Sequence, residues 1–135
     1  MDEQAKNLNQ VLLAAMDNYA ERTCFQVKRG TGYQSISYQR FQALTYRMVR
    51  FLRRQDVANG ERVAIATHNC LEWMVVYMAT LLVGGVAVPL RPSVAPDRFR
   101  FTLQDSGACL VMLDEEHLVQ TIDTLLARMI IRCPI

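Results

Sequence analysis

The hexapeptide from His68 to Trp73 holds the side chains of this sequence that are most capable of chemistry. His68 with Glu72 could form an acid–base pair, and Cys70 with His68 could form a nucleophile–base pair. The same residues fit the start of a helix, because Asn69 stands at the N-cap position and Glu72, three residues later, completes a capping box. Helix initiation explains the segment without chemistry, so we predict no catalytic residue here.

Two glycine-containing segments resemble phosphate-binding loops only faintly. The segment 29–32 reads R-G-T-G, but a phosphate loop follows a strand and opens a helix, whereas this one joins two predicted strands. Gly84 and Gly85 lie between a predicted helix and a strand, where glycine is the expected C-terminal cap. No G-x-G-x-x-G fingerprint follows a strand. We therefore predict a hairpin turn and a helix cap, and no cofactor-binding residue.

The remaining candidates are basic residues on one predicted helix, at positions 47, 50, 53 and 54. A solvated face whose arginines pair with nearby carboxylates is the favoured interpretation, and contact with phosphate or nucleic acid is the alternative. His117, in the first turn of a predicted helix, has no partner that the sequence identifies.

Cysteine spacing gives no metal site. The four cysteines are Cys24, Cys70, Cys109 and Cys133, and they form no C-x-x-C pair and have no histidine at zinc-ligand spacing. We predict reduced thiols, since the polar segment 1–9 has no signal-peptide character, and hence a cytoplasmic protein.

Composition describes an ordinary globular chain. It has 135 residues, of which 51% are hydrophobic and 21% charged, with a net charge of +2, which is too small to indicate a nucleic-acid partner. Residues 74–90 are uncharged over a length close to a membrane span. Gly84 and Gly85 interrupt them, so a helix followed by a buried strand is favoured and no transmembrane segment is predicted.

Hydrophobic periodicity divides the chain into two parts, 1–60 and 61–135. The first part is predicted to hold a helix over 7–19, a hairpin with strands at 24–27 and 33–36, and a long helix capped by Ser37 and ending near 55. The first helix is predicted to bury one face, composed of Leu8, Val11, Leu12, Ala15 and Met16.

The second part alternates strands and helices. Strands are predicted at 62–66, 86–90, 109–113 and 129–132, and helices at 70–83, 97–105 and 115–127. The strands are nearly continuous apolar runs, which is typical of a parallel sheet covered on both faces. The fold class is therefore α/β, and the abrupt end of the chain after the last strand suggests an incomplete domain.

Six motifs, taken in order, resemble the amino-terminal region of the AMP-forming acyl-CoA synthetases, which belong to the adenylate-forming superfamily of AMP-dependent synthetases and ligases. The resemblance runs from about 7 to 115. Its strongest motifs are G-E-R-V-A-I at 60–65, N-C-L-E-W at 69–73, L-V-G-G-V-A-V-P-L-R-P at 82–92 and D-S-G-A at 105–108. The segments Y-A-E-R-T-C-F at 19–25 and I-S-Y-Q-R-F at 36–41 complete it.

The resemblance implies a ligase that activates a carboxylic acid with MgATP and passes the acyl group to coenzyme A, with long-chain fatty acids as the preferred class. The family's Ser/Thr/Gly-rich phosphate loop and its carboxy-terminal domain have no counterpart in these residues. The resemblance therefore supplies no catalytic, cofactor-binding or metal residue, and leaves the substrate-binding residues unknown. We expect a scaffold portion that is inactive alone.

A non-catalytic, standalone interaction module is the alternative. In either case the partner would be the rest of the same polypeptide or a separate protein that covers the open sheet. Nucleic acid is not expected as a partner, and peripheral contact with a membrane is left open.

Overall fold

The computed structural model describes residues 7–91 and 94–114, together with the backbone of a strand at 130–132. The first part contains helix α1 (Leu8–Asn18), strands β1 (Thr23–Arg29) and β2 (Gly32–Ser37), and helix α2 (Tyr38–Arg54). The second contains β3 (Arg62–Ala66), α3 (Leu71–Leu82), β4 (Val86–Pro89), α4 (Pro96–Ser106), β5 (Leu110–Leu113) and β6 (Ile130–Arg132). The helix predicted at 115–127 lies outside the described residues.

Four strands form one parallel sheet in the order β4-β3-β5-β6, with β3 paired on both sides. Side chains alternate between the two faces of the sheet, as they must in a strand. Val63 and Ile65 pack under α2 and α3 on one face, and Ala64 and Ala66 pack under α4 on the other. Helices on both faces of a parallel sheet confirm the predicted α/β class.

The amino-terminal elements attach to the helices rather than to the sheet. β1 and β2 form a separate antiparallel hairpin, and the ring of Phe25 in β1 meets Phe41 of α2 edge to face with centroids 5.0 Å apart. Met16 of α1 is buried with Phe41, Val75 and Met78. A third cluster of apolar side chains therefore joins α1 and the hairpin to α2 and α3.

The buried face of α1 differs from the predicted one. Met16 and Leu12 pack into the third cluster as expected, but Leu13 joins them, whereas Leu8 is 52% and Val11 45% exposed. The Asn9 side-chain amide donates to the Leu81 carbonyl at 2.9 Å. This bond fixes the rotation of α1 so that the 9–13–16 side faces α3, and the prediction was therefore wrong for Leu8 and Val11.

Helix α2 begins as predicted and ends with an unusual left-handed residue. The Ser37 hydroxyl accepts from the Arg40 N–H at 3.2 Å. At the other end Asp56 has a φ of 57°, and the Val57 N–H donates to the Leu52 carbonyl at 3.1 Å. Since Leu52 and Val57 also share the core under α2, the end is a Schellman motif with its usual apolar contact.

We expect Asp56→Gly to raise the free energy of unfolding by about 0.5–1 kcal/mol, because a Cβ makes this backbone conformation costly and glycine has none. Urea unfolding followed by circular dichroism measures the change. The matched control is Asp56→Ala, which removes the same charge but keeps the Cβ and should give no gain. Equal gains from both variants would show that the carboxylate, and not backbone strain, is responsible.

Two threonines are fully buried in neighbouring helices but differ in hydrogen bonding. The Thr80 hydroxyl donates to the Val76 carbonyl at 2.8 Å, whereas the Thr45 hydroxyl has no partner among the described residues. A buried hydroxyl without a partner loses its hydration and gains nothing in return. Thr45 is therefore a point at which α2 is less stable than its packing allows.

Thr45→Val should raise the free energy of unfolding by about 1 kcal/mol, because valine keeps the shape and removes the unpaired hydroxyl. Thr80→Val is the matched control; it breaks a satisfied bond and should be neutral or cost up to about 1 kcal/mol. Urea titrations of both variants provide the comparison. A loss of stability in Thr45→Val would mean that the hydroxyl has a partner, such as a bound water.

Candidate functional site

The start of α3 carries the residues that the sequence singled out, but its cap is shifted by one position. Cys70, not Asn69, is the N-cap, and its sulfur accepts from the Trp73 N–H at 3.4 Å. Glu72 is consequently the second residue of the helix rather than the third, so the predicted capping box does not form. Trp73 stacks on Tyr77 with ring centroids 5.1 Å apart.

His68, the second residue after β3, contacts the residue that follows β5. The ring Nδ1 of His68 lies 2.8 Å from Oδ2 of Asp114, and the His68 backbone N–H donates to the same oxygen at 3.2 Å. These contacts hold His68 at the carboxyl edge of the sheet, two residues before the N-cap of α3. The pairs of His68 with Glu72 and of Cys70 with His68, which the sequence analysis considered and set aside, are not among these contacts.

The pair His68–Asp114 is the chief feature that sequence reasoning missed. β3 and β5 are parallel neighbours, so the residues that follow them meet at the same edge of the sheet. The carboxylate side chain is 13% exposed and the imidazole 60%. The two residues are 46 positions apart in the sequence. Their contact could have been predicted only if the order of the strands in the sheet had been known.

A carboxylate on Nδ1 can orient an imidazole as a general base, but such a pair needs a nucleophile next to it. The candidate that the sequence offers, Cys70, instead caps α3, and its sulfur lies 4.0 Å from the Thr67 hydroxyl. Burial raises the pKa of the Cys70 thiol, and the neighbouring charge of Glu72 raises it further, against the opposing effect of the Trp73 N–H. A raised pKa keeps the thiol protonated and unreactive at neutral pH.

The other described cysteines behave in the same way. Cys24 and Cys109 are free, half-buried thiols, and burial is the main cause that raises the pKa of each. Across 7–91 and 94–114, no three His, Cys, Asp or Glu side chains converge to hold a metal ion. Cys133 and His117 lie outside the described residues.

Both glycine segments have the structural roles predicted for them. The R-G-T-G segment closes the β1–β2 hairpin, with Arg29 opposite Gly32 and Gly30 at a φ of 57°. Gly84 has a φ of 80° and its N–H donates to the Leu81 carbonyl at 3.0 Å, while the Gly85 N–H donates to the Thr80 carbonyl at 2.9 Å. These bonds form a glycine-terminated Schellman motif.

Gly84 also has a packing role that the sequence did not reveal. Its carbonyl accepts from the Gly60 N–H at 2.9 Å, and the Val86 N–H donates to the Glu61 carbonyl at 2.8 Å. A Cβ on Gly84 would collide with the Asn59 side chain. The turn before β3 and the turn before β4 therefore approach each other closely, which aligns the two strands.

The arginines of α2 are exposed, as the solvated-face interpretation requires. The carboxylate partners expected for Arg47, Arg50, Arg53 and Arg54 are not present among the described residues, where none of these arginines forms a salt bridge. Residues 74–90 form most of α3, the glycine turn and β4, so the predicted helix and strand are confirmed. The strand is not buried as predicted, because β4 lies at the edge of the sheet and Val86 is 46% exposed. In the described part of the chain, no helix is both long and apolar enough to cross a membrane.

Comparison with known proteins identifies the fold. Residues 12–133 match the family model described as AMP-binding enzyme. The chain belongs to this family. It is 36% identical over 91 residues to a 3-hydroxybenzoate–CoA/4-hydroxybenzoate–CoA ligase from Thauera aromatica, a match that spans 66% of the chain and 17% of the ligase. It is 27% identical over 116 residues to bacitracin synthase 3 from Bacillus licheniformis, spanning 86% of the chain and 2% of the synthase.

Solved structures of AMP-binding enzymes have the same fold. A protein described as a long-chain-fatty-acid CoA ligase from Rhodopseudomonas palustris superposes with a TM-score of 0.80 at 23% identity, over 90% of this chain and 30% of that one. The O-succinylbenzoate coenzyme A synthetase of Bacillus subtilis, solved with AMP, gives 0.76 at 22% identity, over 88% and 30%. The chain thus spans less than a third of each of these relatives.

The observed cap predicts how three variants at the start of α3 differ in stability. Cys70→Ser should raise the free energy of unfolding by about 0.5 kcal/mol, because a hydroxyl accepts the Trp73 N–H better than a sulfur does, and Cys70→Ala should lower it by about 0.5 kcal/mol. Asn69→Ala should change it by less than about 0.5 kcal/mol, as at an ordinary surface site. Thermal unfolding measures the stability of all three variants. A large loss of stability in Asn69→Ala would show that Asn69, and not Cys70, is the N-cap.

Proposed function

We propose that this chain is the amino-terminal scaffold portion of an ATP-dependent acid–thiol ligase. The reaction of such an enzyme converts a carboxylate, ATP and coenzyme A into an acyl-CoA, AMP and pyrophosphate. The observation that carries the proposal is the match of 12–133 to the AMP-binding family. In the described residues, the polar side chains that the sequence singled out cap helices or connect strands. The chain supplies sheet and helices, and the catalytic groups come from elsewhere.

The contacts at the carboxyl edge of the sheet support a structural role for these residues. Catalysis of acyl and nucleotidyl transfer needs donors and cations that converge on the developing charge. The His68–Asp114 pair fastens β3 to β5, and the Cys70 sulfur is held by the helix that it caps. We assign MgATP and coenzyme A to the whole ligase and to no residue of this chain.

For the acid that is activated, we propose a long-chain fatty acid, on the resemblance of the six motifs alone. Relatives above 30% identity include two hydroxybenzoate–CoA ligases and gramicidin S synthase 2, so an aryl or amino acid is the competing choice. The free thiols of Cys24, Cys70 and Cys109 favour a reducing compartment, and we propose the cytoplasm.

The partner that completes the sheet is proposed to be the rest of the same polypeptide. β4 lies at one edge of the sheet, and the backbone N–H groups of Val86 and Leu90 donate towards β3. Because backbone groups alternate in direction along a strand, those of Ala87 and Pro89 point away from β3. Pro89 has no N–H, which leaves Ala87 as the one outward donor of β4. Addition of any further strand at this edge is therefore disfavoured. This weighs against an interaction module that docks by strand addition at β4, and the rest of the polypeptide is expected to cover the sheet elsewhere.

The purified chain should catalyse no ATP–pyrophosphate exchange with fatty acids, hydroxybenzoates or amino acids. The Thauera aromatica ligase with a hydroxybenzoate is the positive control, and heat-treated chain gives the background. Exchange above that background would contradict the scaffold proposal, because a catalytic site would then exist within these residues. The interaction-module alternative predicts a different result, namely a stable complex and binding of a hydrophobic dye; a monomer that binds no dye would exclude it.

A further inference from the structure

Helix α2 concentrates positive charge in a chain whose overall charge is close to zero. It contains five of the fifteen basic residues and none of the thirteen acidic ones. The remaining residues, with ten basic and thirteen acidic side chains, therefore carry a net charge of −3 against +5 on this helix. Charge on the chain is thus segregated rather than evenly spread, which is what a surface for an anionic partner requires.

The arginines of α2 also share one side of the helix. At about 100° per residue, Arg40, Arg47, Arg50 and Arg54 lie within a sector about 80° wide, and all four are exposed. The buried residues of α2, among them Thr45 and Leu52, lie on the opposite side. The four guanidinium groups therefore form a row, the arginine row, that points away from the core.

An apolar groove runs beside the arginine row, between α2 and α3. It has a volume of about 340 Å³, and Arg47 and Glu72 are its charged lining residues. The others are apolar: Leu44, Met48, Phe51, Leu71 and Val75. On the other side of the row Tyr46 is 44% exposed. Cations, an apolar groove and an exposed tyrosine thus lie next to one another on one surface.

We propose that the outer face of α2 binds the surface of a membrane that contains anionic phospholipids. The arginine row would contact the lipid phosphates and carboxylates, and each arginine near such a surface contributes about fivefold to binding. The groove would take up apolar parts of the lipid, while Tyr46 would lie at the level of the headgroups, where aromatic side chains with a polar end are favoured.

A lipid fits this surface better than a nucleic acid does. A single-stranded nucleic acid offers phosphates to the arginines, but its bases bind proteins mainly by stacking on several exposed aromatic rings. Among the described residues beside the arginine row there is a single exposed aromatic ring, that of Tyr46, which is too few for such stacking. Glu72 on the opposite wall of the groove disfavours any anion there, so the headgroups are expected on the α2 side.

Co-sedimentation of the 135-residue chain with vesicles tests the proposal, with phosphatidylcholine alone compared with a mixture containing phosphatidylserine at physiological salt. The chain should sediment with the mixed vesicles only. Arg47→Gln, Arg50→Gln and Arg54→Gln together should weaken binding about 100-fold. The control variant has the same change in charge at three exposed positions outside the row: Lys28→Gln, Arg29→Gln and Arg100→Gln. It should bind the mixed vesicles more than ten times better than the triple variant of the arginine row. Circular dichroism verifies that both are folded.

A substitution that is expected to strengthen binding distinguishes a loss of charge from a loss of folding, because a misfolded variant would not bind more strongly. Glu72→Gln removes a carboxylate from the groove and should strengthen binding by up to about fivefold. The proposal is overturned if the chain stays in the supernatant, if both triple variants bind equally, or if Glu72→Gln weakens binding. It is also overturned if a single-stranded oligonucleotide at equal phosphate concentration displaces the chain from the vesicles, since the surface would then be a nucleic-acid site.

Discussion

Burial of β3 on all sides is the constraint on which the rest of the structure depends. Val63, Ala64, Ile65 and Ala66 have no exposure at all, and β4 and β5 satisfy the strand's backbone groups from both edges. A strand in this position needs helices on both faces, because its side chains alternate. α2 and α3 cover one face and α4 the other, and α1 and the hairpin then pack on the outside of α2 and α3.

Much of this arrangement could be predicted from local sequence, because it depends on period and on turn chemistry. The apolar runs at β3 and β5 predict covered strands, and Ser37 and Gly84 mark helix ends through side-chain and backbone properties of their own. The resemblance to AMP-forming synthetases rested on the same kind of residue, and the family match extends over them. Local rules failed where two adjacent residues compete for the N-cap position of α3. Asparagine is among the residues most often found at N-caps, but Cys70, and not Asn69, occupies the position.

What the sequence could not predict depends on contacts between distant residues. The Asp114 carboxylate meets His68 because β5 lies beside β3, and neither residue indicates this alone. The rotation of α1 depends on a bond between Asn9 and a carbonyl of α3, so the periodicity of α1 predicted a buried face that was rotated towards Leu8 and Val11. The close approach of Gly84 to the turn at Asn59 likewise follows from the pairing of β3 with β4.

The structure separates two surfaces that can act independently. The carboxyl edge of the sheet, marked by His68 and Asp114, is built by strands β3 and β5, whereas the arginine row lies on the side of α2 that is turned away from them. A helix with its side chains is about 10 Å thick, so a flat anionic surface on that row would lie a full helix diameter above the sheet. Such a surface would leave the carboxyl edge open, so that binding of a membrane by α2 and contacts at the carboxyl edge would not exclude each other.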